Sequence, residues 1–382
     1  MQSRAVCGPI LVLGVLLAAS PASGGEESLG TVQLRGGYDA NPTGLPGDPK
    51  GSAFLTTGAA VAIGRDYAGG KVAFAGEGQH TEFASRDLVP ADRIKFALET
   101  EHDLDTGWTL RTSVRADNTT SYDTRALNVT GAVKLRPSDG VFRPFINGEV
   151  GYSTLNENNI LFADFMPEPQ RFVRGTATPG VAIVHGKLEF GVSASISVTR
   201  YVGENPLGFN RNNIRIQPFL FATYKDDTLD LSASVSRFDG WWDDADIGNV
   251  QQTLYDVSLA KTFGEFKLDL SARRSVDDTT FPFVPVTVMT TAGVGLSYKL
   301  TSQLTLRSSV KTSRTEYPGV ALSSKTTAFG GGASYEFGKD WTLGLDAAYQ
   351  RGTLIDGEPM TGGVVSLSLA RKFNLKSALA QK

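Results

Sequence analysis

The residues of this sequence best suited to acid–base or metal chemistry are its three histidines, because imidazole changes charge near neutral pH and binds transition metals. His80, His102 and His185 are scattered along the chain, and no Gly-x-Ser-x-Gly element accompanies them. A serine hydrolase needs its base beside an activated serine, so the sequence does not indicate one. An aspartate–histidine hydrolase that combines His80 with an acidic loop residue is a third alternative for the function; we predict no enzyme and no catalytic residue.

The remaining candidates for metal or ligand chemistry are one cysteine and one acidic loop. Cys7 precedes an apolar run from Pro9 to Ala19, so its removal with a signal peptide would leave no thiol for a disulfide, metal site or nucleophile. The segment Asp239 to Asp246 (DGWWDDAD) places Trp241 and Trp242 beside carboxylates, which could stack on a sugar or hold calcium. Because it lacks the ligand spacing of a calcium loop, we predict a surface loop anchored by interfacial tryptophans, with no metal and no cofactor.

Charge and hydropathy narrow the class of protein. The 382 residues include 37 Lys and Arg against 40 Asp and Glu, a formal net charge of -3, which is not the basic surface that nucleic acid requires. We therefore predict no nucleic-acid partner. The mean hydropathy of -0.13 is that of a soluble protein, but membrane barrels conceal their apolar surface in alternation, so this value does not argue against membrane insertion.

The elements that must position these residues are strands, because apolar residues recur at every second position over long stretches. From Leu188 to Thr199 (LEFGVSASISVT), large apolar residues and alanine alternate with glutamate, glycine, serine and threonine. The same period occurs in further segments, namely Ile94 to Glu101, Trp108 to Asp117, Leu229 to Ser236, Phe266 to Arg273, Leu304 to Lys311, Trp341 to Gln350 and Val365 to Phe373. Strands of this kind can cross a membrane at a tilt.

The connections between these strands alternate between short and long. Asp103 to Gly107 and Gly264-Glu265 are short turns, whereas Val202 to Asn212 and Asp277 to Phe283 are longer. The pattern predicts an all-β fold, a single antiparallel transmembrane β-barrel of roughly 18 strands, with about 16 as the alternative. Its short turns would lie in the periplasm and its longer loops outside the cell.

Aromatic residues gather at the short turns. Strands that reach these turns end with residues such as Phe263, Tyr298 and Phe337, and strands that leave them begin with Trp108 or Trp341. Such clustering is typical of the girdle at a bilayer interface and favours a membrane barrel over a soluble β-sandwich.

We predict three segments along the chain. Residues 1–23 read as a cleaved signal peptide, because Arg4 precedes an apolar run too short to span a bilayer and Ser20-Pro21-Ala22 follows it. Residues 24–373 form the barrel, and residues 374–382 form a short tail after the last aromatic, with Arg371 where an apolar residue is expected. The predicted location is the cell outer membrane.

If the apolar face meets lipid, the opposite face lines the lumen and carries charges of both signs. The predicted lumen-lining residues are Arg111, Arg115, Arg273, Arg307, Lys267, Lys311, Glu99, Glu189, Asp230, Asp269 and Asp346. Two interpretations are open: the charges pair across strands and keep the interior hydrated, or Arg111, Arg115, Arg273 and Arg307 form a basic ladder that guides an anion.

The longest predicted loop, Thr154 to Gln170, contains Ile160, Leu161, Phe162, Phe165 and Met166. An apolar set of this size is unusual in a fully solvated loop. We expect the loop either to fold into the barrel and narrow it or to pack on its neighbours at the rim.

The opening segment Leu34 to Pro42 (LRGGYDANP) and the hairpin pattern resemble the outer-membrane β-barrel porins of the porin-2 type, which include barrels associated with exopolysaccharide genes. The resemblance implies a porin-like channel for small hydrophilic solutes or saccharides. The alternative is a non-conducting barrel that supports envelope or exopolysaccharide export. The expected partners are outer-membrane lipid and lipopolysaccharide, the barrel-assembly machinery and a saccharide or other small solute.

Overall fold

The computed structural model describes residues 27–44, 50–121, 124–157, 170–203, 209–280, 284–355 and 357–375. The predicted signal peptide lies outside these residues, as does most of the predicted tail. The apolar set of the loop from Thr154 to Gln170 also lies outside them.

The chain forms eighteen β-strands in sequence order, which confirms the predicted all-β fold and the predicted count. The strands are β1 (Glu27–Asp39), β2 (Ser52–Tyr67), β3 (Gly70–Phe83), β4 (Ala91–Leu104), β5 (Trp108–Thr120), β6 (Thr124–Pro137), β7 (Phe142–Glu157), β8 (Gln170–His185), β9 (Leu188–Tyr201), β10 (Asn213–Lys225), β11 (Leu229–Trp242), β12 (Val250–Phe263), β13 (Phe266–Asp278), β14 (Val286–Lys299), β15 (Leu304–Glu316), β16 (Ser323–Phe337), β17 (Trp341–Thr353) and β18 (Pro359–Asn374). In the described part of the chain, no helix is long and apolar enough to cross a membrane.

Each strand pairs antiparallel with the next, and the first strand pairs with the last. β1 and β18 meet from Leu29 opposite Asn374 to Asp39 opposite Val364, so the sheet closes on itself. Closure pairs the first strand with the last, and a sheet in hydrocarbon requires such pairing because unpaired backbone groups are costly there.

The two faces of each strand differ in exposure, as the sequence predicts: the apolar face is exposed and the polar face points inward. On β9, Val192 is 55% exposed and its neighbour Ser193 only 9%. A soluble sandwich would bury the apolar side chain instead. Exposed valine, leucine and isoleucine on successive strands form an outward apolar belt, and polar side chains face the enclosed space.

The periplasmic end is built from tight turns and aromatic side chains. Gly107, Gly186 and Gly264 adopt positive φ angles of 75°, 59° and 57° in three of these turns, a conformation that favours glycine. The Phe266 and Tyr298 rings stack with their centroids 4.3 Å apart. The predicted aromatic girdle is therefore present at this end of the barrel.

Arg371 lies within this girdle. Its guanidinium sits 5.3 Å from the ring centroid of Trp341 on the neighbouring strand. A cation over an aromatic face at the membrane boundary is stabilised by the ring and by nearby water, which explains how the last strand tolerates a charge at this position.

Candidate functional site

The predicted lumen-lining residues all lie on the strand face opposite the exposed apolar belt, and most of them are paired with an opposite charge. The ion pairs are Arg115 with Glu99 at 2.6 Å, Arg307 with Asp346 at 3.2 Å, Lys267 with Asp269 at 3.0 Å, Arg273 with Asp256 at 3.7 Å, Glu189 with Arg136 at 3.2 Å, Asp230 with Lys225 at 3.5 Å, and Arg111 with Glu101. No ion pair is recorded for Lys311 among the described residues. Most of these pairs join different strands, whereas Lys267 and Asp269 lie on the same strand, β13.

The four arginines of the basic-ladder hypothesis are divided between two parts of the wall. Arg111 and Arg115 lie on β5, whereas Arg273 lies on β13 and Arg307 on β15. Strands β6 to β12 separate the two groups. Whether either group lines the route of a solute stays a prediction.

Several of the inner-wall charges border open space, although others, such as Arg307 and Asp346 at 20% and 16% exposed, are largely buried. The side chains of Arg115 and Glu99 are 65% and 52% exposed although they form an ion pair. Lys267 and Asp269, on another part of the wall, are 51% and 45% exposed. Around these pairs, the interior has room for water.

The wall divides towards the extracellular end between β12 and β13. These strands pair from Phe263 opposite Phe266 only as far as Tyr255 opposite Arg274. Beyond this point β12 continues its pairing with β11 up to Val250, and β13 continues its pairing with β14 up to Asp278. The end of the β13–β14 hairpin is therefore free of β12, and we call its described residues, 275–280 and 284–288, the inner hairpin.

Valines of the inner hairpin pack against the inner face of β11 and β12. Val286 and Val288 are 0% and 1% exposed, whereas Val294, on the same face of β14, is 50% exposed to lipid. Val286 belongs to a buried cluster with Phe238, Trp242, Ile247, Val250 and Leu254, against which Phe209 and Val276 also pack. Near the periplasmic end of β13 and β14, this strand face meets lipid. Near their extracellular ends, the same face packs against the inside of the barrel wall.

Asp278 fixes the end of the inner hairpin to three other strands. Its carboxylate accepts a hydrogen bond from Arg174 on β8 at 2.7 Å and another from Arg215 on β10. The Tyr201 hydroxyl on β9 lies 3.5 Å from the same carboxylate, and Arg211 donates to the Thr279 carbonyl at 2.5 Å. Two guanidiniums thus neutralise one buried carboxylate.

These contacts require the inner hairpin to cross part of the lumen. Strands β8 and β13 are five steps apart in the sheet, which corresponds to roughly 24 Å of wall at about 4.8 Å per strand. Arg174 and Asp278 nevertheless form an ion pair at 2.7 Å. The backbone of the inner hairpin must therefore leave the wall, so this segment narrows the extracellular mouth.

Two further loops add to this narrowing. Val284, at the end of the inner hairpin, forms a second buried cluster with Tyr317 of the β15–β16 loop and Ile355 of the β17–β18 loop, with Leu322 packed against it. Three extracellular connections thus share one apolar contact.

The sequence predicts only a loop at Asp277 to Phe283 and gives no indication of the inner hairpin. Val276, Val286 and Val288 continue the outward alternation of their strands, so their pattern matches that of lipid-facing residues. One feature of the sequence could have indicated a different environment: the two adjacent carboxylates of Asp277 and Asp278 follow an alternation that otherwise matches a lipid-facing strand.

The predicted loop from Asp239 to Asp246 begins only after Trp242, because Asp239 to Trp242 end strand β11, and its two tryptophans point in different directions. Trp242 is buried in the inner cluster, and Trp241 is 39% exposed on the outer face. Asp243 pairs with Arg200 at 3.0 Å, and Asp244 accepts a hydrogen bond from the Asn210 backbone at 2.7 Å. The carboxylates hold neighbouring segments in place and do not converge on one point.

The histidines lie at opposite ends of the barrel. His102 stacks on Tyr67 near a periplasmic turn, and His185 ends β8. His80 faces outward near the rim, where its ring nitrogens contact Asp92 at 2.7 Å and Glu82 at 3.0 Å. With both nitrogens engaged by carboxylates, His80 is not placed to take a proton from a nucleophile. In the described part of the chain, no group of His, Cys, Asp and Glu side chains is arranged to hold a metal ion.

Comparison with solved structures finds siderophore and ferric enterobactin receptors at low identity. A mutant of the ferric enterobactin receptor from Pseudomonas aeruginosa is 10% identical, with a TM-score of 0.49, and the match covers 92% of this chain and 82% of that chain. The siderophore receptor PirA from Pseudomonas aeruginosa is 8% identical, with a TM-score of 0.43 and coverage of 92% and 81%. PirA from Acinetobacter baumannii is 6% identical, with a TM-score of 0.46 and the same coverage. No curated protein matches the chain.

The family comparison is more specific. Residues 241–373 match the model of the family described as "Putative beta-barrel porin 2". The matched segment runs from the end of β11 through β18 and includes the inner hairpin. The closed sheet with its outward apolar belt and this family match make the protein an outer-membrane β-barrel. The resemblance to the porin-2 type is thereby confirmed, on a family match over residues 241–373 and an eighteen-stranded closed barrel.

Proposed function

We propose that the barrel is a water-filled channel for the passive passage of small hydrophilic solutes or saccharides. The observation that carries this proposal is the exposure of the paired inner-wall charges, such as Arg115 at 65% and Glu99 at 52%. Side chains that plugged the lumen would bury these groups. A barrel of roughly 18 strands is wide enough for an aqueous channel.

The inner hairpin supplies a size limit in this proposal. It occupies the mouth on the side of β8 to β13, so a solute passes between it and the opposite wall. Because the charges of the lumen are paired, we expect the channel to select solutes by their size and hydration more than by their charge.

Planar-bilayer recording of the purified protein tests the proposal. We expect steps of single-channel conductance that small sugars reduce and that larger saccharides, excluded from the mouth, leave unchanged. A purified, folded barrel that produced no conductance would reject the channel and support the non-conducting role in envelope or exopolysaccharide export.

A further inference from the structure

Three exposed cations lie side by side on neighbouring strands at the outer extracellular rim. Arg314 on β15 stands directly opposite Lys325 on β16, and Arg351 on β17 stands opposite Thr327, two residues from Lys325. All three side chains are exposed. We call Arg314, Lys325 and Arg351 the rim cation row.

The rim cation row faces the membrane side of the wall. It shares a strand face with Val310, Phe329 and Tyr349, which stand opposite one another in register and are 44%, 40% and 49% exposed. Apolar and aromatic side chains mark the hydrocarbon and its boundary. The three cations lie two or four residues closer to the extracellular end of their strands, which places them at the level of lipid headgroups.

Within the protein, this charge is poorly compensated. Like charges directly opposite each other in neighbouring strands are destabilising. Glu316 lies 3.1 Å from Arg314 but is shared with Arg274, also at 3.1 Å. Among the described residues, no ion pair is recorded for Lys325 or Arg351. The row therefore carries an excess of positive charge that an external anion would relieve.

Other outward-facing arginines at the same rim differ in this respect. Arg200 pairs with Asp243 at 3.0 Å, and Arg237 pairs with Asp239 at 3.2 Å. Their side chains are 55% and 60% exposed, close to the 59% of Arg314. Exposure alone thus does not distinguish the rim cation row; the excess of positive charge does.

A recess adjoins the row. Arg274, Arg314 and Glu316 line a cavity of about 400 Å³ together with the loop Tyr317 to Ser323. Guanidinium groups that line such a recess suit the oxygens of a phosphate, which arginine binds through paired hydrogen bonds.

We propose that the rim cation row binds the phosphate groups of a phosphorylated glycolipid in the outer leaflet. A glycolipid fits better than a soluble anion because the cations stand directly above an exposed apolar row, where acyl chains would lie along Val310, Phe329 and Tyr349. The proposal is independent of whether the lumen conducts.

The test compares two variants that remove outward-facing arginines or lysines from the same rim. The first is Arg314→Gln, Lys325→Gln and Arg351→Gln together, and the matched control is Arg200→Gln with Arg237→Gln. Native mass spectrometry of detergent-solubilised barrels would measure binding of bisphosphorylated lipid A, and of lipid A from which both phosphates have been removed.

We expect the triple variant to bind bisphosphorylated lipid A at least about tenfold more weakly than the wild type, because charge-assisted contacts to phosphate are lost. The control should retain wild-type binding, and the dephosphorylated lipid should bind wild type and triple variant equally. Thermal unfolding in detergent should give the same midpoint for both variants, which shows that both are folded. If the triple variant has a lower midpoint, lipid binding is measured again with Lys325→Gln alone.

Several results would overturn the proposal. These are equal binding of the two lipids to the wild type, unchanged binding by a folded triple variant, or an equal loss in the control. Inorganic phosphate that displaced the lipid at equal concentration would assign the row to a soluble anion instead.

Discussion

At the scale of single residues, Asp278 is a contact point of two guanidiniums from other strands. It lies in the interior between Arg174 and Arg215 and joins a segment of β13 to β8 and β10. Removing one partner from a buried ion pair leaves uncompensated charge, which typically costs about 3–5 kcal/mol. The position of the inner hairpin therefore depends in part on this carboxylate.

We predict that Asp278→Asn releases the inner hairpin and raises the single-channel conductance in planar bilayers. The amide keeps the size of the side chain but carries no negative charge to attract the two guanidiniums. Asp269→Asn is the control, because Asp269 is half exposed and pairs with Lys267 on its own strand; it should leave the mean conductance near that of the wild type. Equal conductance of Asp278→Asn and the wild type would show that the carboxylate does not hold the constriction.

A second residue-scale prediction concerns pH at a periplasmic turn. The backbone N–H groups of Thr228 and Leu229 both donate to Asp226 at 2.8 Å. These hydrogen bonds, that from Thr228 first, hold the pKa of Asp226 well below its ordinary value. A lowered pKa stabilises the folded turn above the ordinary carboxylate range, and this contribution is lost as the pH falls through the folded pKa.

We therefore expect Asp226→Ala to speed hydrogen exchange at the Thr228 and Leu229 amides at neutral pH, with a smaller difference from the wild type in strong acid. Asp227→Ala, one residue away, is the control and should leave both amides protected. A difference that stayed constant down to the most acidic pH would exclude the ionised carboxylate as its cause.

At the scale of elements, the sequence predicts the strands well because the membrane imposes a period of two that is visible in each segment. Leu188 to Thr199 alternates in the sequence, and β9 alternates in exposure over the same residues. The charged residues of the inner face could be predicted for the same reason, since they occupy the positions between the apolar ones.

The inner hairpin could not be predicted from this period. Val286 and Val294 occupy equivalent positions in the alternation, yet one packs inside the barrel and the other faces lipid. The difference arises where β13 separates from β12 and from contacts such as Arg174 with Asp278, which are 104 residues apart. Neither is visible in a local sequence pattern.

Packing of the inner hairpin can be tested without changing charge. Val286→Thr keeps the shape of the side chain and places a hydroxyl without a partner in the buried cluster, at a cost of about 1–3 kcal/mol. We expect more frequent transitions to a higher conductance level than in the wild type. Val294→Thr, on the lipid face of the same strand, should show the wild-type frequency; if both variants behaved alike, packing of Val286 would not hold the hairpin.

At the scale of the whole molecule, the barrel combines an outer surface suited to lipid with an interior of balanced charge. The pairs Arg115 with Glu99 and Arg111 with Glu101 place two cations and two anions on the adjacent strands β5 and β4. Because each pair is nearly neutral, its field over the lumen is weak, and the intact channel should distinguish little between small cations and anions.

Unbalancing these pairs should therefore create selectivity. We predict that Arg111→Gln with Arg115→Gln shifts the reversal potential in a potassium chloride gradient towards cation preference, because Glu99 then has no paired cation and Glu101 keeps only Lys71. Glu99→Gln with Glu101→Gln should shift it in the opposite direction. Both shifts should be clear near 0.1 M salt, where the screening length is about 10 Å, and small near 1 M, where it is about 3 Å. Opposite shifts of the reversal potential in the two variants require these side chains to border the conducting path. If neither variant changed the reversal potential of a conducting barrel, that path would lie elsewhere.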